Sequence, residues 1–140
     1  MKTSNVTIVS AEKEVYAGDV QFFAATAITG EIGVYPNHMP ILTLLKPGQV
    51  RLTLSEGKEE VFWISGGILE VQPEQIIVLA DSAERAEALD TKTAEEAMRK
   101  AEELISARDS SEDFDYEQAQ TELSIARSQL DALNRLKQFK

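Results

Sequence analysis

The chain lacks cysteine, contains a single histidine and a single tryptophan, and has neither glycine nor proline after Pro73. Without cysteine it has no disulfide, no thiolate nucleophile and no cysteine-ligated zinc or iron–sulfur centre. The net charge of -10 argues against a general nucleic-acid-binding protein, which needs a basic face to neutralise phosphates. No apolar run approaches the roughly 18 residues of a membrane-spanning helix, and the N-terminus lacks the apolar stretch of a signal peptide. The composition predicts a soluble, cytosolic protein.

The residues also offer little from which an enzyme active site could be built. His38 is the only histidine, so a catalytic triad or a histidine metal site would depend on it. It lies between Pro36 and Pro40, in a loop where a lone histidine more often makes a surface contact than catalyses a reaction. Neither GxxxxGK(S/T) nor GxGxxG, the phosphate-binding motifs, is present. We therefore predict no catalytic residue, no metal and no cofactor.

Residues 1–88 hold every glycine and proline, together with short β-branched and aromatic runs. Gln49–Leu54 alternates polar and apolar residues, which is typical of a strand with one face in water. Turns are predicted at Pro47-Gly48 and Gly66-Gly67, among others. So many short strands without helices between them predict an antiparallel β-sandwich or barrel. The nine runs are Val6–Val9, Val15–Ala17, Val20–Thr26, Ile32–Tyr35, Ile41–Leu45, Gln49–Leu54, Val61–Ser65, Ile68–Val71 and Ile76–Ala80.

Residues 89–140 are rich in alanine, glutamate, lysine, arginine and leucine, and they predict two helices. Asp90 and Thr91 can cap the first helix, Thr93–Glu96 fits a capping box, and Asp115 can cap the second helix. A short connection favours an antiparallel hairpin, so the overall class is α+β with two domains. The predicted packing residues are Ala94, Ala97 and Ala101 of the first helix and, in a seam with steps of three and four, Leu123 and Leu130 of the second.

The predicted contact between the helices is thin, because alanine supplies fewer buried methylene groups than leucine, at about 0.8 kcal/mol each. We therefore expect a hairpin that is marginally stable alone and whose resting position can change. The end of the second helix is basic, with Arg127, Arg135 and Lys137. These residues either complement the helix dipole or present a cationic surface to an acidic partner.

Several segments, taken in order, resemble the epsilon subunits of bacterial F-type ATP synthases. They extend over nearly the whole chain, and the glycine-proline loop and the Ser-Gly-Gly strand are specific. The segments are VSAE (9–12), GEIGVYPNHMP (30–40), LLKPG (44–48), ISGGILEV (64–71) and VLADSA (78–83). The resemblance implies a β-sandwich of about ten strands over 1–88, followed by a regulatory helical hairpin over 89–140.

The resemblance also implies a function and partners. The chain would be a non-catalytic rotor subunit of the central stalk that couples c-ring rotation to ATP synthesis. The sandwich would bind the gamma subunit and the c-ring, with Glu31, Tyr35 and His38 as ring contacts. The protein would be peripheral, on the cytoplasmic face of the bacterial plasma membrane, and would reach the membrane only through the complex. No nucleic acid is expected as a partner.

In the resembled family the hairpin alternates between folding on its own sandwich and extending along gamma into the catalytic head of alpha and beta subunits. The extended form suppresses ATP hydrolysis, and Arg127, Arg135 and Lys137 would then meet acidic residues of beta. The corresponding hypothesis is that removal of the second helix raises ATP hydrolysis by the head complex.

Some relatives bind ATP through a motif of Ile or Leu, Asp, two variable residues, Arg and Ala. Here Leu89–Ala94 has Thr93 at the arginine position, so we predict no tight nucleotide site. Two other classes stay open: a stand-alone adaptor that uses the hairpin as a helical docking arm, and a small enzyme. Co-purification with gamma would separate the rotor subunit from both.

Overall fold

The computed structural model describes residues 2–106 and 116–138. In these ranges the chain forms nine strands followed by two α-helices, with short 3₁₀ turns at Ser55–Gly57 and Ala86–Ala88. The sandwich and helical hairpin predicted from the sequence are confirmed. The elements are β1 Ser4–Ser10, β2 Glu14–Val20, β3 Phe22–Ala27, β4 Gly30–Val34, β5 Ile41–Thr53, β6 Glu59–Ile64, β7 Gly67–Val71, β8 Gln75–Ala80, β9 Ala83–Arg85, α1 Thr91–Ser106 and α2 Tyr116–Lys137.

The strands form two layers joined by β5. One layer runs in the order β2-β1-β8-β7-β5, and the other joins β9, β6, β5, β3 and β4. The pairings among the described strands are antiparallel except for β1 with β8, which run parallel in register Asn5 to Gln75. The inner faces of both layers meet in one core, whose largest fully buried side chains include Phe23, Phe62, Ile8, Leu52 and Ile64.

The predicted turn at Pro47-Gly48 is wrong, because β5 continues through it. The first part of β5 pairs with β7 from Ile41 to Leu45, and the second part pairs with β6 from Gly48 to Thr53. The buried side chains change from odd to even positions between Leu45 and Gly48, so the strand passes from one layer to the other there. A Cβ at Gly48 would lie 2.5 Å from Thr26 Cβ, so glycine is needed where β3 and β5 approach.

Gly66-Gly67 does not form the predicted hairpin turn either. The strands on either side, β6 and β7, do not pair with each other, and both pair with β5. Both glycines have positive φ, at 128° and 152°, and a Cβ at Gly67 would lie only 2.1 Å from the Leu79 backbone oxygen. The pair therefore carries the chain between the layers, pressed against β8, where a side chain cannot fit.

Helix α1 begins at Thr91, and Asp90 is its N-cap as predicted. Asp90 accepts a hydrogen bond from the Lys92 backbone N–H at 3.2 Å and another from the Thr93 hydroxyl at 2.6 Å. These bonds, above all the one from Thr93, lower the pKa of Asp90. Thr93 therefore serves the Asp90 cap, and the predicted capping box at Thr93–Glu96 is not the start of the helix. Asp115, predicted to cap the second helix, lies outside the described residues.

The hairpin packs α1 against α2 through small side chains. Ala94 and Ala101 are buried, but Ala97 is exposed. The helical angle explains the difference: Ala101 lies about 20° around the helix from Ala94, whereas Ala97 lies about 60° away. Leu123 and Leu130 of α2 are partly buried, on the same side as the buried Ala119, Ala126 and Leu133.

Helix α2 has a second buried face, about 120° from the first, which the predicted seam did not include. This face rests on the sandwich, where Ala132 joins a small apolar cluster with Val61, Trp63 and Ala86. Ile125 and Leu136 pack at the edge of that cluster. The sequence predicted that the polar face of Gln49–Leu54 lies in water. In the structure α2 packs against this face, and Gln49 and Arg51 are half-buried.

Candidate functional site

Three surfaces of the described residues bear on function: the loop after β4, the outer face of the β7–β8 layer and the contact between α2 and β6. The loop carries Tyr35 and His38, two of the three ring contacts predicted from the sequence. Tyr35 is 68% exposed, and its ring packs on the ring of Phe22, with the two ring centroids 4.7 Å apart. His38 is partly exposed, with Nδ1 2.7 Å from the Met39 backbone oxygen, so Nδ1 carries the proton that is donated there.

Glu31, on β4, forms an ion pair with Arg51 of β5. The Glu31 side chain is 53% exposed and that of Arg51 is 20% exposed. Burial lowers the pKa of Arg51, and the nearby positive charge of Arg135 lowers it further. Glu31 and Arg51 lie on the side of the sandwich that α2 covers, while Tyr35 and His38 lie in the loop that follows β4. Glu31, Tyr35 and His38 therefore belong to one continuous segment, and the Glu31 carboxylate is held against the sheet by Arg51.

The outer face of the β7–β8 layer carries an exposed apolar row that the sequence analysis did not identify. Leu44 pairs in register with Ile68, and Ile68 pairs with Leu79, so their side chains are neighbours across three strands. Leu44, Ile68 and Leu79 are 53%, 42% and 52% exposed, and Leu42 is 74% exposed two residues before Leu44. Clustered apolar side chains on a sheet face are typical of a protein–protein contact.

The sequence carried a signal for this row. Ile76–Ala80 is a continuous apolar run, and in a strand alternate residues point to opposite faces. Ile76, Val78 and Ala80 are buried, so the residues between them lie on the outer face. An uninterrupted apolar run in β8, which pairs in parallel with β1 and antiparallel with β7, is therefore the sequence signal for a strand with two apolar faces, of which only one faces the core.

The contact between α2 and the sandwich is built on alternate residues of β6. Glu59, Val61 and Trp63 lie on the outer face beneath α2, while Phe62 and Ile64 point into the core. The Trp63 indole N–H donates a hydrogen bond of 2.8 Å to the hydroxyl of Ser128. Both residues are buried, at 6% and 5% exposure. Because a buried indole N–H requires an acceptor, this bond fixes the position of α2 along β6.

Arg135, near the end of α2, makes a two-point contact with Glu59 at the start of β6. Its Nε donates to Oε1 at 2.9 Å and its Nη2 donates to Oε2 at 3.1 Å. The Glu59 side chain is only 8% exposed. This pairing of a planar guanidinium with both carboxylate oxygens is the strong form of an ion pair. Of the three basic residues singled out in the sequence, Arg135 thus contacts the chain's own sandwich in this structure.

Arg127 and Lys137 are exposed on α2. Arg127 lines a cleft of about 430 Å³ between α2 and β5 together with Lys46, Gln49 and Asp131. Thr93, at the position of the nucleotide-motif arginine, is exposed and donates to Asp90. No group of three or more metal-ligating side chains occurs within residues 2–106 and 116–138. In that same part of the chain, neither helix is long and apolar enough to cross a membrane.

Comparison with known proteins places both parts of the chain in one family. Residues 3–86 match the family described as "ATP synthase, Delta/Epsilon chain, beta-sandwich domain", and residues 87–134 match "ATP synthase, Delta/Epsilon chain, long alpha-helix domain". The chain belongs to the ATP synthase delta/epsilon family. The resemblance noted in the sequence is therefore confirmed.

Two curated relatives of this delta/epsilon chain are similar over almost their full length. The ATP synthase epsilon chain of Alkalilimnicola ehrlichii is 47% identical over 137 residues, 98% of this chain and 96% of the relative. That of Nitrosococcus oceani is 47% identical over 135 residues, 96% and 95% of the two chains. The alignments include the sandwich and the hairpin together.

Solved structures share the fold at low sequence identity. A chain in the Euglena gracilis mitochondrial ATP synthase, in an OSCP/F1/c-ring structure, has a TM-score of 0.82 at 21% identity, covering 94% of this chain and 81% of that one. A chain in the central stalk and c-ring of the Tetrahymena thermophila mitochondrial ATP synthase has a TM-score of 0.60 at 14% identity, covering 94% and 97%. These two likenesses show a shared fold, and the part of this chain that they cover includes both the sandwich and the hairpin.

Proposed function

We propose that this chain is the epsilon subunit of the central stalk of a proton-translocating ATP synthase. It has no active site of its own, and it couples rotation of the c-ring to ATP synthesis as part of the rotor. The observation that carries this function is the exposed apolar row of Leu42, Leu44, Ile68 and Leu79. The relatives named as ATP synthase epsilon chains, similar over nearly the whole chain, support the same assignment.

The apolar row is the docking surface for the gamma subunit. Covering a fully exposed leucine or isoleucine side chain contributes about 1.5–3 kcal/mol. Four side chains that are between 42% and 74% exposed can therefore contribute several kcal/mol to binding. In a two-layer sandwich the row lies on the side opposite α2, so gamma can bind this face while the hairpin rests on the other.

The segment with Glu31, Tyr35 and His38 contacts the c-ring. A contact that transmits torque must hold its shape, and several features of the segment restrain it. Tyr35 packs on Phe22, Glu31 pairs with Arg51, and prolines at 36 and 40 fix the backbone around His38. Through these contacts the protein is peripheral, on the cytoplasmic face of a bacterial plasma membrane.

The hairpin inhibits ATP hydrolysis when it leaves the sandwich and enters the catalytic head of alpha and beta subunits. The small side chains of Ala94 and Ala101 bury little area between the helices, which supports a reversible contact. Arg127 and Lys137 are exposed, and Arg135 becomes available to an acidic surface of beta once α2 is released. Thr93, at the position of the nucleotide-motif arginine, bonds to Asp90 and supplies no cation, so we expect no tight nucleotide site in the hairpin.

Leu44→Asp tests the docking surface. Burial of an unpaired carboxylate is strongly unfavourable, so we expect binding to purified gamma to weaken by about 100-fold or more, measured by titration or co-purification. The exposed side chain leaves the fold intact, which thermal unfolding would verify. Leu104→Asp on α1 is a matched control, since Leu104 is 47% exposed but lies far from the row in sequence and element. Equal binding by both variants would refute the gamma contact and favour a stand-alone adaptor.

Removal of α2 tests the inhibitory role separately. A chain that ends before Tyr116 retains the sandwich and its apolar row, so it still binds gamma. We expect ATP hydrolysis by the head complex to rise when this shortened chain replaces the full chain. Hydrolysis that stays the same would dismiss the inhibitory role and leave the rotor role in place.

A further inference from the structure

The Glu59–Arg135 pair joins α2 to the sandwich with the same chemistry that an acidic partner would use. Both oxygens of Glu59 accept from one edge of the guanidinium, formed by Nε and Nη2. That edge can hold one carboxylate in this geometry at a time. We propose that Glu59 is an internal competitor for Arg135, so that an acidic surface of the catalytic head must displace Glu59 before it can engage the end of α2. This inference rests on the inhibitory role proposed above.

The location of the pair suits this role. Glu59 is at the first residue of β6 and Arg135 is in the last turn of α2, so the pair closes the far end of the α2 contact. The Trp63–Ser128 hydrogen bond and the Ala132 contact lie further along the same two elements. Because the Glu59 side chain is only 8% exposed and that of Arg135 is 30% exposed, solvent and salt screen the pair less than they would screen a pair on the open surface.

A second cation makes release of Arg135 feasible. Arg51 is close enough to Glu59 and Arg135 for both charges to act on its pKa. Removing one partner from a buried ion pair is costly mainly because the other charge is left without compensation. Arg51 is paired with Glu31 and lies on β5 two residues from Thr53, the register partner of Glu59. When Arg135 departs, the charge of Arg51 still acts on Glu59, and Arg51 is relieved of a neighbouring positive charge. The Glu59 carboxylate therefore keeps a positive charge nearby when α2 is released from the sandwich, which lowers the cost of breaking its pair with Arg135.

The test begins with amide hydrogen exchange on the full, isolated chain. Glu59→Gln keeps the size of the side chain but removes its charge, and we expect exchange over residues 125–136 of α2 to accelerate about tenfold, with β1 and β8 unchanged. Glu60→Gln is a matched control: Glu60 is the next residue, carries the same charge and pairs with Arg85 of β9 instead. Equal α2 exchange in the two variants would overturn the proposal.

A double-mutant cycle separates the pair from a general structural effect of residue 59. If Glu59 acts through Arg135, the variant with both Glu59→Gln and Arg135→Gln exchanges no faster in α2 than the faster of the two single variants. If the increases in α2 exchange rate caused by the two single substitutions multiply in the double variant, each residue acts independently. That result would show that the Glu59–Arg135 pair is not the cause.

The competition itself is measured in the reconstituted head complex with gamma. We expect Glu59→Gln to inhibit ATP hydrolysis at about tenfold lower concentration than the wild-type chain, whereas Glu60→Gln inhibits like wild type. The same inhibitory concentration for both variants would refute the competition. If the wild-type chain does not inhibit at all, the proposed inhibitory role fails, and the exchange experiment still decides whether Glu59 holds Arg135.

Discussion

Ser128→Ala removes the acceptor of the buried Trp63 indole N–H and leaves the apolar part of the α2 contact in place. The two groups are 2.8 Å apart, and their residues are 6% and 5% exposed, so water cannot easily replace the lost acceptor while α2 is docked. A buried donor without a partner costs about 1–3 kcal/mol. We therefore expect the equilibrium constant for docking of α2 on the sandwich to fall by about 5- to 150-fold.

Hydrogen exchange of the α2 amides measures this constant directly, because amides that exchange through release of the helix report its opening free energy. Trp63 is the only tryptophan in the chain, so its emission and its quenching by acrylamide report whether α2 still covers it. Ser124→Ala is the control, since Ser124 is exposed on the same helix and the change brings the same gain in helix propensity. If the α2 amides exchange at equal rates in Ser128→Ala and Ser124→Ala, the Trp63–Ser128 hydrogen bond does not hold α2 on the sandwich.

Two further predictions concern the helix cap at Asp90 and the backbone conformation at Gly67. The lowered pKa of Asp90 means that its cap stabilises α1 fully above the unfolded pKa of about 3.9, and that this stabilisation is lost as the pH falls through the lower folded value. Far-UV circular dichroism should show this loss in the wild-type chain, whereas Asp90→Asn, which keeps a capping oxygen, should remove Asp90's contribution to the pH dependence. Gly67→Ala places a Cβ 2.1 Å from the Leu79 backbone oxygen and should destabilise the fold by about 3 kcal/mol or more in urea unfolding. Gly57→Ala, which meets no atom within 4 Å, should cost about 1–2 kcal/mol from its positive φ alone.

The β-runs and helical stripes could be predicted because they depend on local periodicity. The strand predicted over Ile41–Leu45 and the one over Gln49–Leu54 both exist, but they are parts of β5. Pro47-Gly48 has the composition of a turn, and local sequence cannot distinguish a turn from a bend inside a strand. What decides is the neighbouring β3, since Thr26 occupies the space that a residue with a side chain at 48 would need.

The contact of α2 with the sandwich was harder to predict, because it depends on residues far apart in the chain. Ser128 interrupts an otherwise apolar pattern and, on sequence alone, is indistinguishable from a residue in water. Its role follows only from its position opposite Trp63, 65 residues earlier. Arg135 was recognised as basic, but a charge pattern along one helix cannot reveal that its partner is Glu59 on β6.

Strand β5 also has a mechanical consequence. Its 13 residues run unbroken from the apolar row at Leu42 and Leu44 to Arg51, beneath α2. A load applied at the row is therefore carried along covalent bonds to the opposite side of the sandwich, and it is resisted by the ladders to β3, β6 and β7, whose hydrogen bonds are sheared together and not opened one after another. A subunit that turns with a shaft needs stiffness of this kind more than it needs high thermodynamic stability.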